Sequence, residues 1–185
     1  MQWDDCTFDA NQFGREIYVL GHYLSKLQVL NPNWESLKES SNQIRALKQY
    51  DATAIELFTA ELNQLVPSHC VVTVVPPHTH RCSNSGILQV ARRISLQRDR
   101  TDATHCLRRF MTIPKLSYGG IRNEGLHFES IVVQNQELLA DCFVVLLDDV
   151  MTTGSSLRAC KTLLLQAGAR AVQPIALGRT VRGEI

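Results

Sequence analysis

The chain has 185 residues and a formal net charge of +1, from 19 Lys and Arg against 18 Asp and Glu. Such a length fits one domain with a real core, and near-neutral charge argues against a general nucleic-acid binder. Six cysteines, at positions 6, 70, 82, 106, 142 and 160, form no C-x-x-C pair, and no basic and apolar leader is visible. A reduced, cytoplasmic protein is therefore expected, and no apolar run is long enough for a membrane span.

In chain order, Glu16 to Tyr23 reads as a strand and Asn31-Pro32-Asn33 as a break. Ser41 to Gln49 has helical composition. Asp51 is a good N-cap for a second helix, on which Ala54, Leu57, Phe58, Glu61, Leu62 and Leu65 make a mostly apolar face, and Pro67 ends it. Val71 to Val75 is the first convincing core strand, stopped by Pro76 and Pro77, which cannot donate to a ladder. The loop that follows leads to Ser85, a cap for a helix through Ile87, Val90, Ala91 and Ile94. Leu107 to Ile113 is expected to be a strand, Pro114 to Gly125 a mobile excursion, and Glu129 to Val133 a short strand. Near the end, Gly168 serves as a C-cap and VQPIAL as a final strand, with Pro174 keeping that strand off the middle of a ladder or marking its start. The alternation from Val71 to Leu177 predicts a parallel α/β sheet with right-handed crossovers.

The most informative stretch is FVVLLDDVMTTGSSL, Phe143 to Leu157. Five apolar residues, Phe143 to Leu147, read as a strand buried on both faces. Asp148 and Asp149 then stand at its carboxyl end, where open α/β sheets bind ligands. The turn Met151–Ser156 supplies a glycine for close backbone approach, four hydroxyls, and the positive end of the next helix. It contains no GK[ST] arrangement, so it is not a Walker A loop, nor is it GxGxxG. It suits one terminal phosphate, while a carboxylate suits the vicinal diol of a ribose. Because side chains alternate along a strand, the two aspartates are not expected to act as one chelating pair. Together these features describe a sugar 5-phosphate site.

LLDDVMTTGSSL closely resembles the 5-phosphoribosyl 1-pyrophosphate (PRPP) signature of type I phosphoribosyltransferases. The rest, from about Ile17 to Arg182, is most similar to the ComF (competence protein) group: IRALKQYD after an early strand, VVTVVPPHTHR before a helix, a basic strand, and a loop with Lys, Arg and Asn. The N-terminal cysteine zinc motif of many members is missing, and CSNSGILQ stands where an Arg-Gly-Phe-Asn-Gln run is common. The resemblance implies a type I phosphoribosyltransferase-like α/β domain spanning 1–185, with a strand and helix hood over about 1–50, a core over 51–180 and a flexible loop. It implies that Val150, Met151, Thr152, Thr153, Gly154, Ser155 and Ser156 surround the 5-phosphate and that Asp148 and Asp149 hold the ribose hydroxyls. Arg81, Lys115 and Arg122 would meet pyrophosphate, the latter two from a lid over Pro114 to Gly125, with Tyr118, Gly119 and Gly120 as anchor and hinges. Mg2+ would arrive with PRPP, the acceptor would be a nitrogenous nucleophile, and a homodimer is the family expectation.

Competing readings are weaker. His78, His80 and Cys82 alternate, but no second cluster completes a zinc site. From Arg92 to Arg122 the chain carries eight Lys and Arg against two Asp, but interleaved exposed aromatics that would make a nucleic-acid platform are not expected there. Cys106 and Cys160 read as core residues rather than nucleophiles. The alternative function is a non-catalytic PRPP- or nucleotide-binding regulator of the competence type.

Overall fold

A computed structural model describes residues 14, 16–25, 28–30, 32–79, 84–113 and 124–181. Its centre is the buried run foreseen from the sequence, the strand Phe143–Met151 (β6), in which Val144, Val145, Leu146 and Leu147 are fully buried. Each such side chain contributes roughly 1.5–3 kcal/mol on burial. That is reason enough for this strand to sit inside the sheet. β6 pairs in parallel with Val71–Val74 (β2) on one side and with Ala171–Thr180 (β7) on the other. Tyr18–Tyr23 (β1) adds to the far side of β7, and the two-residue strand Thr101–Asp102 (β3) adds to β2. The sheet order is β1-β7-β6-β2-β3, all parallel, so every carboxyl end opens on one edge.

Helices cover both faces. Lys38–Lys48 (α1), Ala52–Leu65 (α2) and Gly86–Ser95 (α3) close a core containing Ile44, Leu47, Phe58, Leu62 and Ile94. Ser155–Gln166 (α5) covers the opposite face with Leu157, Cys160 and Leu164. Asp51 and Ser85 cap α2 and α3 as the sequence predicts, accepting from the N–H groups of Ala54 (2.9 Å) and Leu88 (3.3 Å). Among the described residues, no helix is long and apolar enough to cross a membrane.

Four local expectations change. Leu107–Arg109 (β4) is short and does not join the main sheet. It pairs antiparallel with Ile131–Val133 (β5) as a separate ribbon. The segment before β5, Glu124–Ser130, is a helix (α4) where strand was expected from Glu129 on. β3 was not foreseen, because two exposed residues carry no period. Pro174 lies inside β7, between two neighbours, rather than at a margin. The ladder to β1 begins only at Ile175, so the missing N–H falls before it. At that gap the Gln173 carboxamide takes the place of backbone pairing, accepting from Gly14 N–H (2.9 Å) and donating to the Glu16 and Pro174 carbonyls (3.0 and 2.9 Å).

Candidate functional site

β6 ends in Asp148, Asp149 and Val150, all partly buried, followed by the buried Met151. The chain then turns at Gly154, whose φ of 78° is a left-handed conformation open to glycine at little cost. A Cβ at this position would lie 2.7 Å from Ile17 Cδ1, so both conformation and space call for glycine. Gly154 is the N-cap of α5, and no side chain caps this helix. The hydroxyls of the turn bond to one another and to β7 instead. Thr152 Oγ1 meets Thr180 Oγ1 at 2.9 Å, tying the turn to the end of β7. Thr153 Oγ1 meets Ser155 Oγ at 2.9 Å and accepts from Ser155 N–H at 3.4 Å. The Thr153 carbonyl accepts from the Arg158 guanidinium at 2.8 Å, bracing the turn from the first turns of the helix.

Both aspartates line one cavity of about 330 Å3, with Ser156, Lys48, Arg109 and His127 among its walls. Their immediate partners differ. Asp148 accepts from the Asp149 N–H (2.9 Å) and from Ser156 Oγ (3.4 Å), whereas Asp149 Oδ2 is 3.0 Å from Lys48 Nζ. Burial, and then the neighbouring Asp149 carboxylate, push the Asp148 carboxyl up to about 8. Lys48, the Asp149 N–H and Ser156 pull in the other direction without cancelling this. Burial thus favours the protonated form of Asp148, while Asp149 is ion-paired with Lys48. A second, more open cavity of about 960 Å3 lies across the turn, lined by Thr152, Thr153, Arg158, Lys161 and Arg179 among others. The turn is thus the wall between the cavity that holds the two aspartates and one lined by Arg158, Lys161 and Arg179.

Arg109, the last residue of β4, is 4% exposed and reaches the aspartate cavity from below the loop that follows β2. Its Nε–H donates to the Pro77 carbonyl at 2.7 Å, one terminal nitrogen donates to Ser130 Oγ, and the other lies 3.5 Å from the Pro76 carbonyl and 3.4 Å from His127 Nδ1. No carboxylate pairs with it among the described residues, and burial lowers its guanidinium below the ordinary value. It is a clamp holding the Pro76–Pro77 loop and α4 around the cavity. In the sequence Arg109 reads only as part of a basic segment and Lys48 only as part of IRALKQYD, with no site role for either.

Arg81, Lys115 and Arg122, together with His80, Cys82, Tyr118, Gly119 and Gly120, lie outside the described residues. Among the described residues, no cluster of three or more His, Cys, Asp or Glu side chains could hold a metal ion. The two aspartates fit a metal that arrives on a ligand's own oxygens better than one held by the protein alone, because burial disfavours the charged form of Asp148 and Asp149 is ion-paired with Lys48.

No protein-family model matches the chain, and neither does any curated protein. Solved structures with related folds include one described as the allosteric regulatory enzyme of purine biosynthesis, 18% identical, with a TM-score of 0.44 over 66% of this chain. The chain spans only 24% of that protein's length. A hypoxanthine phosphoribosyltransferase from Staphylococcus aureus, in orthorhombic and tetragonal crystals, is 12% identical in both. The orthorhombic form gives a TM-score of 0.40 over 79% of this chain and 77% of its own, the tetragonal form 0.41 over 78% and 76%. Likenesses at this level assign no activity.

Proposed function

We propose that the chain is a phosphoribosyltransferase: it binds PRPP and transfers the 5-phosphoribosyl group to a nitrogenous acceptor, releasing pyrophosphate. The observation that carries this reading is the meeting of three features at the carboxyl edge of the sheet. These are a glycine-hinged turn opening α5, four hydroxyls on that turn, and two carboxylates in one cavity beside it. The amides of 152–156 and the positive helix end suit a dianionic phosphate. Asp149, and Asp148 once deprotonated, suit the ribose 2- and 3-hydroxyls as acceptors.

In the reaction the bond from ribose C1 to the pyrophosphate oxygen breaks, and the acceptor nitrogen takes its place. Positive charge develops on the ribose, where the carboxylates of β6 stabilise it; negative charge leaves on pyrophosphate, where cations are needed. Mg2+ bound with PRPP would supply part of that neutralisation. Arg81, Lys115 and Arg122 are proposed to supply more. The test is to mix protein, Mg2+ and PRPP with single nucleobases and amines and to follow pyrophosphate. Release that depends on one acceptor supports the transferase.

One observation favours a second reading, a PRPP-binding regulator of the competence type. The turn offers hydroxyls and no side-chain carboxylate, and Thr152 is engaged with Thr180, so it provides no evident group to take a proton from an acceptor nitrogen. Tight PRPP binding without release against every acceptor would favour that reading.

A further inference from the structure

Two protein cations face the aspartate cavity among the described residues, Lys48 and Arg109, and they are in opposite states. Arg109 has its donors committed to Pro76, Pro77, Ser130 and His127, and its position is fixed by burial. Lys48 is the reverse. Its side chain is 38% exposed, and its ammonium has one carboxylate partner, Asp149, with the Tyr23 ring 5.5 Å away. An ammonium has three hydrogens to give, and a four-carbon stem lets it turn about a fixed backbone.

That backbone is well fixed. Lys48 is the last residue of α1, and Ile44 and Leu47 in the preceding turn are buried in the core. The start of α3 rests directly on it: a Cβ on Gly86 would lie 2.1 Å from the Leu47 carbonyl oxygen. Only glycine allows this approach, and it sets the end of α1 beside Ser85 at the cavity wall. The N-terminal layer thus delivers one mobile cation to a cavity whose other described cation is immobilised.

We infer that Lys48 is a substrate-contacting residue held in reserve: it neutralises Asp149 in the free protein and passes to the anionic leaving group when Asp149 accepts a ribose hydroxyl. The inference rests on the sugar-phosphate reading of the site. Its physical basis is charge balance. A bare Asp149 carboxylate would repel an entering polyanion, and the ammonium that masks it is released only when that carboxylate finds another partner. Lys48 and Asp149 therefore act as a counter-ion exchange, which orders the sugar and the pyrophosphate group together.

Calorimetric titrations of wild type, Lys48→Met and Lys48→Arg with ribose 5-phosphate and then, with ribose 5-phosphate saturating, with inorganic pyrophosphate in Mg2+ test this. Lys48→Met should weaken pyrophosphate about tenfold or more while leaving ribose 5-phosphate within about twofold, since its competitor at Asp149 is gone. Lys48→Arg should return pyrophosphate affinity to within about threefold of wild type. A purely structural lysine would lose both ligands together with thermal stability, and that result overturns the inference. So does unchanged pyrophosphate affinity in Lys48→Met. Wild type binding pyrophosphate but not ribose 5-phosphate sinks the sugar-phosphate reading. Wild type binding ribose 5-phosphate, with pyrophosphate indifferent to Lys48, sinks the exchange alone.

Discussion

Asp148→Asn removes the one carboxyl among the described residues that the fold holds far from its ordinary ionisation. In the folded protein this group titrates near 8, against 3.8 for an unperturbed aspartate. The folded state therefore binds the proton more tightly than the unfolded state. The stability this gives is fully present below the unfolded value and is lost as pH rises through the folded one. The asparagine amide keeps the shape and a carbonyl acceptor for Asp149 N–H, but has no charge to bury. From about pH 5 to about pH 8 the linkage spans three pH units at about 1.4 kcal/mol each, a ceiling of roughly 4 kcal/mol. Water at the open mouth of the cavity and the nearby Lys48 screen the group, so roughly 2 kcal/mol is the expected change. For a chain of this length that is about 4–8 °C in Tm. Thermal melts of both proteins should show Asp148→Asn gaining on wild type by this amount between about pH 5 and about pH 9. A difference that stays constant across that range, or a variant that loses ground as pH rises, would refute a protonated Asp148. In the same window, wild-type affinity for ribose 5-phosphate should rise with pH, since only the ionised carboxyl accepts two hydroxyl bonds.

Two further substitutions probe the frame around the site. Gly154→Ala forces a side chain into a left-handed residue 2.7 Å from Ile17 Cδ1. It should cost about 1–2 kcal/mol in urea unfolding and weaken ribose 5-phosphate at least about tenfold. Gln173→Leu strips three hydrogen bonds at the Pro174 gap, among them those to Gly14 and Glu16. At about 1 kcal/mol each the loss is about 2–3 kcal/mol, and hydrogen exchange of Tyr18–Tyr23 should speed up more than that of β6. Equal acceleration of both strands would place the role of Gln173 elsewhere.

The parts of the molecule legible in the sequence were those governed by a short-range rule. The β6 run is buried because five successive apolar residues leave it nowhere else to go, and Asp51 and Ser85 cap helices because their oxygens reach an amide three residues on. What stayed hidden depends on partners far away in the chain. Pro174 argued for a margin position, and only the Gln173 carboxamide, bonded to residues some 159 positions earlier, permits it inside a sheet. The turn hydroxyls read as phosphate donors from the local sequence, which carries no sign that Thr152 is held by Thr180. The candidate site divides in the same way. Asp148 to Ser156 are contiguous and carried a readable pattern; Lys48 and Arg109 come from other elements and are recruited by packing, which no local pattern records.

The central claim is that the turn at 151–156 receives the phosphate of a phosphorylated ribose whose hydroxyls meet the end of β6. An NMR titration of backbone amides with ribose 5-phosphate tests it most directly. The account predicts saturable shifts concentrated on Thr152 to Ser156, with smaller ones at Asp148 and Asp149, all weakened in Gly154→Ala. Shifts confined to the cavity around Lys161 and Arg179, or no saturable response, would contradict it.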